Sequence, residues 1–162
     1  MKKKIVIIAN WKMNLSLKES SSLINSLKKS KFINNKLLKV VICPQFILIP
    51  DISKKIKNQN IYIGAQDCHY KNFGSFTGDV SPKTLKDFFC EYVIIGHSER
   101  RNSYREKNTL IKKKIINLNF NKLIPILCIG ETIKERKSKI FKDVLKKQIN
   151  ECVPDNQKKI II

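Results

Sequence analysis

Residues 92–101 read YVIIGHSERR, and this stretch decides the class of fold. Its first four residues form a short apolar run rich in β-branched side chains, which is typical of a buried strand. Gly96 permits a sharp turn after the run, because glycine has no side chain to restrict its backbone. His97 comes next, and residues 98–101 are suited to the first turn of a helix. The stretch therefore predicts a strand, a tight turn and a helix in succession.

The same pattern recurs outward from this stretch in both directions. Further apolar runs occupy residues 5–9, 37–43, 61–65, 123–129 and 160–162. Because they are nearly continuous in Val and Ile, they predict parallel strands buried on both faces. The polar stretches between them carry apolar side chains at helical spacing: Leu23, Ile24 and Leu27, then Ile111, Ile115, Ile116 and Leu118, then Ile140, Phe141, Val144, Leu145 and Ile149. This alternation predicts an α/β fold, with a doubly wound sheet and a closed barrel both left open.

Length and charge narrow the class of protein. A chain of 162 residues fits a single domain, which we expect to span residues 1–162. Lys and Arg outnumber Asp and Glu by 33 to 13, a balance that suits contacts with the phosphates of nucleic acid. Arg contributes few of these cations, however, and the lysines are scattered along the whole chain. A non-catalytic basic protein that binds nucleic acid or another anionic partner is therefore kept only as the alternative.

Cysteine usage and hydropathy predict the cellular compartment. The five cysteines are odd in number, widely spaced and without a C-x-x-C pair, which favours reduced thiols in a cytoplasmic protein. No signal peptide is evident, and no apolar run approaches the roughly 18 residues of a membrane span. His69 follows Asp67 and Cys68, but no other ligands have the spacing of a closed site. We therefore expect no membrane segment and no metal.

Polar side chains follow several of the predicted strands at the point where each strand ends. They are Asn10 and Lys12, Gln66 and Asp67, His97 and Glu99, and Glu131. The carboxyl ends of parallel strands meet at one edge of a sheet, which is where ligands bind in such folds. His97 at a helix N-terminus would stay neutral and donate a hydrogen bond, although a structural histidine is the alternative. Lys12 could hold an anionic substrate or be an ordinary surface charge.

Five segments together resemble the triosephosphate isomerase family. They are residues 10–14 (NWKMN), 64–66 (GAQ), 76–78 (FTG), 96–101 (GHSERR) and 125–132 (PILCIGET). They occur in the order and at the spacing of that family, and the resemblance runs from Ile5 to Ile162. It implies a (β/α)₈ TIM barrel and the interconversion of dihydroxyacetone phosphate and glyceraldehyde 3-phosphate through an enediolate, without a cofactor. This family is itself the standard example of a glutamate base paired with a neutral histidine.

The resemblance also implies a role for each matching residue. His97 would donate a proton to the substrate oxygens, and Lys12 would attract the phosphate and stabilise the developing negative charge. Asn10 would orient the carbonyl oxygen, and Glu99 would hydrogen-bond Lys12 to hold it in place. A structural ion pair is expected between Arg100 and Glu106. At the interface of an expected homodimer, Phe76, Thr77 and Gly78 would lie against the partner, with Thr77 reaching toward its active site.

The family pattern further implies that this chain holds only part of the barrel. About five and a half β/α units are present, with the sixth strand beginning at residues 160–162, whereas a complete barrel has eight units. The segment in which the family carries its glutamate base and its lid would lie beyond this point. We therefore expect the 162-residue chain alone to be inactive, and its open sheet edges to favour association or a partly molten state.

Overall fold

The computed structural model of the chain describes residues 5–56 and 60–162. Five strands form one parallel sheet in the order β1-β2-β3-β4-β5, and they are β1 (Ile5–Asn10), β2 (Leu38–Cys43), β3 (Ile61–Ala65), β4 (Cys90–Ile95) and β5 (Ile124–Leu127). The helices are α1 (Leu17–Lys29), α2 (Ile49–Lys55), α3 (Pro82–Asp87), α4 (Ser98–Ser103), α5 (Asn108–Phe120), α6 (Ile133–Lys137) and α7 (Phe141–Cys152), with short 3₁₀ turns at Lys31–Asn34 and Phe46–Leu48. Consecutive parallel strands joined by helices form an incomplete (β/α)₈ barrel, as predicted.

The sheet curls, so that its concave face forms a core of its own. Val41, Tyr92 and Ile126 come from β2, β4 and β5 and pack together there, although β2 and β4 are not neighbours in the sheet. Gly64 of β3 faces the same side, where a Cβ atom would collide with the sulfur of Cys43. The absence of a side chain at Gly64 therefore lets the strands close around this face.

The convex face is covered by helices. Because side chains alternate along a strand, Ile42 and Ile95 point away from the concave core and join a second, larger one. Ile24 of α1, Ile52 of α2 and Ile115 of α5 are fully buried in it. Each such side chain contributes roughly 1.5–3 kcal/mol by leaving water. Of the helices within residues 5–56 and 60–162, none is long and apolar enough to cross a lipid bilayer.

Strand β1 departs from the expectation that every strand is buried on both faces. The side chains of Ile5, Val6 and Ile7 are exposed, with Ile5 at 60%. The physical reason is that β1 is an edge strand, which pairs with β2 on one side and has no strand on its other side among residues 5–56 and 60–162. Apolar composition alone does not distinguish an edge strand from a central one.

Other predicted elements are shorter or more exposed than the sequence suggested. The run at 123–129 forms a strand only over Ile124–Leu127, and the run at 160–162 makes a single bridge, between Ile161 and Ile126. Ile116 is 52% exposed, because α5 buries a narrower stripe than the pattern implied. Ile140 precedes α7 as its N-cap and is 47% exposed.

Candidate active site

A cavity of about 220 Å³ opens at the carboxyl ends of β1, β3 and β4. Its wall contains four residues to which the sequence assigned a role in the reaction: Asn10, Lys12, His97 and Glu99. The other lining residues are Met13, Phe46, Gln66, Asp67, Arg100 and Tyr104. Parallel strands bring distant parts of the chain to this edge, so the site is a direct consequence of the sheet.

Lys12 adopts a left-handed backbone conformation, with φ of +51°. This conformation is uncommon for a residue with a side chain and needs support from its surroundings. The backbone N–H of Lys12 donates to Oδ1 of Asn10 at 3.0 Å. Its ammonium group Nζ donates to Oε1 of Glu99 at 2.7 Å. The turn after β1 thereby aims the ammonium group at the residues that follow β4.

Gln66, which the sequence placed at this edge without a role, supports the same turn. Its side-chain Nε2 donates to the backbone carbonyl of Lys12 at 2.7 Å and to that of Cys43 at 2.9 Å. One amide group therefore ties the loop after β1 to the end of β2. The available signal was its position directly after a buried strand, in the segment 64–66 that resembles the family.

His97 lies at the N-cap position of α4. Its ring nitrogen Nδ1 accepts a hydrogen bond from the backbone N–H of Glu99 at 3.3 Å. Nδ1 also lies 3.5 Å from a carboxylate oxygen of Glu99, which could pair with it only if that nitrogen carried a proton. Because the backbone N–H of Glu99 donates to Nδ1, we assign the acceptor form of this nitrogen. The other nitrogen, Nε2, then carries the proton and is available to a ligand as a donor.

Glu99 is the partner that fixes the Lys12 ammonium group. The hydrogen bond from Lys12 lowers the pKa of Glu99 below its ordinary value, and the positive charge of Lys12 acts in the same direction. Both side chains of the pair are more than half exposed to solvent, at 51% for Lys12 and 57% for Glu99. The ammonium group is therefore oriented by a carboxylate while remaining accessible to an anionic ligand.

Gly96 provides the turn that brings His97 to the cavity. Its φ is +66°, in the left-handed region that favours glycine. A Cβ atom there would lie 2.9 Å from the guanidinium group of Arg101 and 3.0 Å from Ile111. Arg101 also donates from Nε to the carbonyl of Gly96 at 2.6 Å. Any larger residue would thus displace the side chain that fixes this turn.

A network of ion pairs extends from the wall of the cavity into the protein. Arg100 contacts Glu106 at 2.9 Å, the pair expected from the sequence, and also Asp67 at 2.8 Å. Lys114 of α5 completes the network, with contacts of 2.6 Å to Glu106 and 2.7 Å to Asp67. Burial raises the pKa of Asp67 despite these cations. Burial acts to raise the pKa of Glu106 as well, but its hydrogen bonds and charges from Lys114 and Arg100 prevail and lower it.

The role of Lys114 was missed at the level of sequence. It is only 3% exposed and occupies the buried face of α5 between Ile111 and Ile115. A lysine on an apolar stripe is the signal that could have found it, because such a residue is rarely buried without a charged partner. In a chain with this many lysines, that signal was not distinctive.

The three residues expected at a subunit interface lie on an exposed loop. Phe76 is half-buried because it stacks on His69, with ring centroids 3.9 Å apart. Thr77 and Gly78 are exposed, and Gly78 has φ of +87° with nothing within 4 Å of a Cβ position. Phe73 is 86% exposed on the same loop. His69 also accepts a hydrogen bond from the backbone of Lys71, so its contacts organise the base of the loop.

The part of the chain that the structure describes contains no group of three or more His, Cys, Asp or Glu side chains arranged to hold a metal ion. His69, whose neighbours raised that question, lies 3.7 Å from Asp79 and has aromatic contacts instead. All five cysteines are free, and burial raises the pKa of each thiol. Cys43 and Cys90 reach a pKa of about 12.

Comparison with known proteins identifies consistent relatives. The sequence profile described as triosephosphate isomerase matches residues 5–162. The triosephosphate isomerase of Clostridium botulinum (strain ATCC 19397 / Type A) is 39% identical over 144 residues, which is 89% of this chain and 57% of that protein. That of Clostridium tetani is 39% identical over 147 residues, or 91% of this chain and 57% of the relative. The chain therefore spans little more than half the length of these relatives.

A solved structure agrees with these sequence matches. The crystal structure of triosephosphate isomerase from Bartonella henselae superposes with a TM-score of 0.86 at 34% identity. The match covers 97% of this chain and 65% of that one. These relatives do not support the alternative of a non-catalytic protein that binds nucleic acid or another anionic partner.

Proposed function

The chain belongs to the triosephosphate isomerase family, and from that premise we propose that its cavity binds a triose phosphate for isomerisation. The reaction is the interconversion of dihydroxyacetone phosphate and glyceraldehyde 3-phosphate through an enediolate, as a step of glycolysis and gluconeogenesis. The observation that carries the proposal is the placement of Lys12 and His97 in the wall of one cavity, with Lys12 held 2.7 Å from Glu99. No cofactor is required.

Each lining residue then has a chemical task. The ammonium group of Lys12 attracts the phosphate and offsets the negative charge that develops on the substrate oxygen. His97 donates from Nε2 to the substrate oxygens, because its Nδ1 accepts from the helix backbone. Asn10 uses Oδ1 to hold the Lys12 turn, which leaves its NH₂ group to orient a carbonyl oxygen. Glu99 and Gln66 position Lys12 rather than react.

The carboxylates of the cavity are unsuited to act as the carbon base. Glu99 pairs with Lys12, and Asp67 accepts from Lys114 and contacts Arg100. Both carboxylates are engaged by these cations rather than free to accept a proton, and abstraction of a proton beside a carbonyl needs an available base. We therefore propose that the 162-residue chain binds the substrate but turns it over at a rate near background.

Binding of dihydroxyacetone phosphate tests the proposal. In an isothermal titration at low salt, the chain binds it, and Lys12→Met weakens binding by roughly tenfold or more, the loss expected for a charge-assisted hydrogen bond. Lys29→Met is the matched control, because Lys29 is an exposed lysine at the far end of α1. Equal affinity in the parent and Lys12→Met would remove the proposal.

Turnover is measured separately. Glyceraldehyde 3-phosphate is converted in an assay that couples its product to oxidation of NADH, and the chain alone stays near the uncatalysed rate. Adding the glutamate-bearing segment of a family member to the 162-residue chain should raise turnover in the parent. The restored rate drops steeply in His97→Gln, because the donor to the substrate oxygens is lost. Full turnover by the unsupplemented chain would contradict the proposed lack of a base.

We further propose a homodimer whose interface includes Phe76, Thr77 and Gly78, so that Thr77 approaches the partner's active site. The support is an exposed loop, and a separate apolar cavity of about 360 Å³ that could receive it. That cavity is lined by Leu15, Ser16, Leu17, Gln45, Ile47 and Leu48. Light scattering should give a dimer for the parent and a monomer for Thr77→Arg. A dimer that persists in Thr77→Arg would place the interface elsewhere.

A cytoplasmic location is part of the same proposal. It is supported by five free cysteines, of which Cys43, Cys68, Cys90 and Cys152 are buried. Buried thiols with raised pKa values are poor nucleophiles and remain reduced in a reducing compartment. Enzymes that act on triose phosphates of central metabolism also require their substrates in the same compartment.

A further inference from the structure

We propose that the chain carries a second anion site, for a small molecule bearing two linked phosphate groups, at the amino ends of β4 and β5. The site goes beyond the proposed isomerase function, because it lies at the opposite ends of the strands from His97 and Glu99. A cavity of about 720 Å³ occurs there. Its volume falls within the range of roughly 300–1,000 Å³ that is usual for small-molecule sites.

Three separate junctions of the chain build this basal cavity. The first, leading from α3 into β4, supplies Lys86, Phe89, Cys90 and Glu91. The second, leading from α5 into β5, supplies Asn119, Lys122, Leu123 and Ile124. The third, leading from α7 to the bridge at Ile161, supplies Asn156, Lys158 and Lys159. Four lysines thus converge on one opening from segments that are far apart in sequence.

The walls of the basal cavity are fixed by hydrogen bonds. The side chains of Asn119 and Gln157 donate to each other, at 2.8 and 3.1 Å, which ties the second junction to the third. Gln157 also donates to the carbonyl of Lys159 at 2.7 Å. Lys122 and Phe89 both have left-handed backbones, with φ of +57° and +63°, and each closes the turn after its helix. The lysines therefore extend from a rigid frame.

The charges of the basal cavity remain unbalanced within the protein. Across residues 5–56 and 60–162, no carboxylate lies within 4.0 Å of the ammonium groups of the four lysines. Glu91 offsets one charge, and the C-termini of α3 and α5 contribute at most about half a negative charge each. About two positive charges remain after this subtraction. That excess favours an anion, and four lysines from three junctions can contact two linked phosphate groups at once.

The active-site cavity provides a contrast within the same molecule. Its lining holds Lys12 and Arg100 against Asp67 and Glu99, so its cations are already paired. The lysine-rich composition of the chain therefore does not by itself give every cavity a positive excess. Lys86 and Cys90 line the same wall, and the charge of Lys86 opposes the rise in the pKa of the Cys90 thiol that burial causes.

Titration with inorganic pyrophosphate, followed by amide NMR of the 162-residue chain, tests the site. We expect saturable shifts centred on Asn119, Lys122 and Gln157, and weaker binding of orthophosphate. The double variant Lys122→Gln/Lys158→Gln should weaken pyrophosphate binding by about tenfold or more, since two charge-assisted contacts are lost. The control Lys29→Gln/Lys142→Gln removes the same charge from two exposed helical positions and should change it less than about twofold.

Each outcome bears on the proposal. Equal weakening in both double variants would mean that only the overall charge matters, which would overturn the proposal. Chemical shift changes confined to Lys12 and Gly96 would overturn it too, and so would equal affinity for orthophosphate and pyrophosphate. A comparison with ADP separates the two sources of a diphosphate. Equal affinity for ADP and pyrophosphate assigns the site to the diphosphate alone, whereas tighter binding of ADP assigns it to a nucleotide. Both of these results support the site, and neither depends on isomerase activity.

Discussion

Two neighbouring residues of α4, Glu99 and Arg100, take part in ion pairs of opposite character. Glu99 pairs with Lys12 at the surface of the cavity, where both side chains are more than half exposed. Arg100 turns inward to Asp67 and Glu106, which Lys114 joins from α5 behind the sheet. A single turn of helix therefore connects a solvent-accessible pair to a buried network.

Because the two sets of ion pairs differ in burial, the buried network contributes to folding stability and the exposed pair contributes little to it. Removing one partner of a buried pair leaves an uncompensated charge in a medium of low polarity, which is strongly destabilising. An exposed pair is screened by water and contributes little to folding. The buried network accordingly fixes α4 in place, while the exposed pair keeps an oriented ammonium group available to a ligand. Substitutions in each pair should have correspondingly different effects.

The largest effect is expected from Lys114→Met. The change leaves Arg100 as the one remaining cation of the network for the two carboxylates of Asp67 and Glu106, and Glu106 already has one carboxylate oxygen without a hydrogen-bond partner. The free energy of unfolding should fall by about 3–5 kcal/mol. Urea denaturation followed by circular dichroism measures the change.

The control for this prediction is Lys113→Met. Lys113 is the preceding residue on α5, but it is exposed and belongs to no ion pair within the described ranges 5–56 and 60–162. Its substitution should alter the free energy of unfolding by less than about 0.5 kcal/mol. Similar losses in the two variants would mean that the network does not stabilise the fold.

A smaller effect is expected from Gln66→Leu, which acts on the exposed pair through its support. Two backbone carbonyls, those of Lys12 and Cys43, lose a donor, and the free energy of unfolding should fall by about 1–2 kcal/mol. Because the left-handed turn at Lys12 loses its anchor, affinity for dihydroxyacetone phosphate should fall as well. Gln148→Leu is the matched control. The side chain of Gln148 forms two hydrogen bonds with the backbone N–H and carbonyl of Gly130, and it does not contact Lys12. A comparable loss of stability with unchanged affinity is expected there.

The sequence predicted most of the sheet because strand formation is a local property. β-Branched runs marked the strands closely, and the apolar stripes found α1, α5 and α7. The exposure of β1 and the single bridge at Ile161 could not be predicted in the same way. Both depend on how many neighbours a strand has, and that is a property of the assembled sheet rather than of the strand.

The candidate site also has residues that the sequence predicted and contacts that it did not. Asn10, Lys12, His97 and Glu99 could be proposed because each follows a strand and matches a family segment. The supporting contacts could not be read from the sequence. Gln66 bonds the carbonyls of residues that lie 54 and 23 positions earlier in the chain. Lys114 meets Asp67 across 47 positions, and its place on an apolar stripe is a weak signal in a chain with so many lysines.

The smallest effect concerns the exposed pair itself and is seen in proton affinity rather than in stability. The hydrogen bond from Lys12 lowers the pKa of Glu99, so the pair is fully formed above the ordinary pKa of a glutamate and is lost as pH falls through the lowered value. In Lys12→Met, the pKa of Glu99 should therefore rise toward its ordinary value. The urea midpoint near neutral pH should stay close to that of the parent, because the pair is solvent-exposed.

A carboxyl NMR titration of Glu99 in the parent and in Lys12→Met measures this shift. Glu135 is an internal control in the same spectra, because its pKa is lowered by hydrogen bonds from the backbone and side chain of Thr132 and not by a lysine. Its titration should be identical in the two proteins. If the pKa of Glu99 stayed low without Lys12, a group other than the ammonium group would stabilise the carboxylate, and the ion pair would not be what orients Lys12.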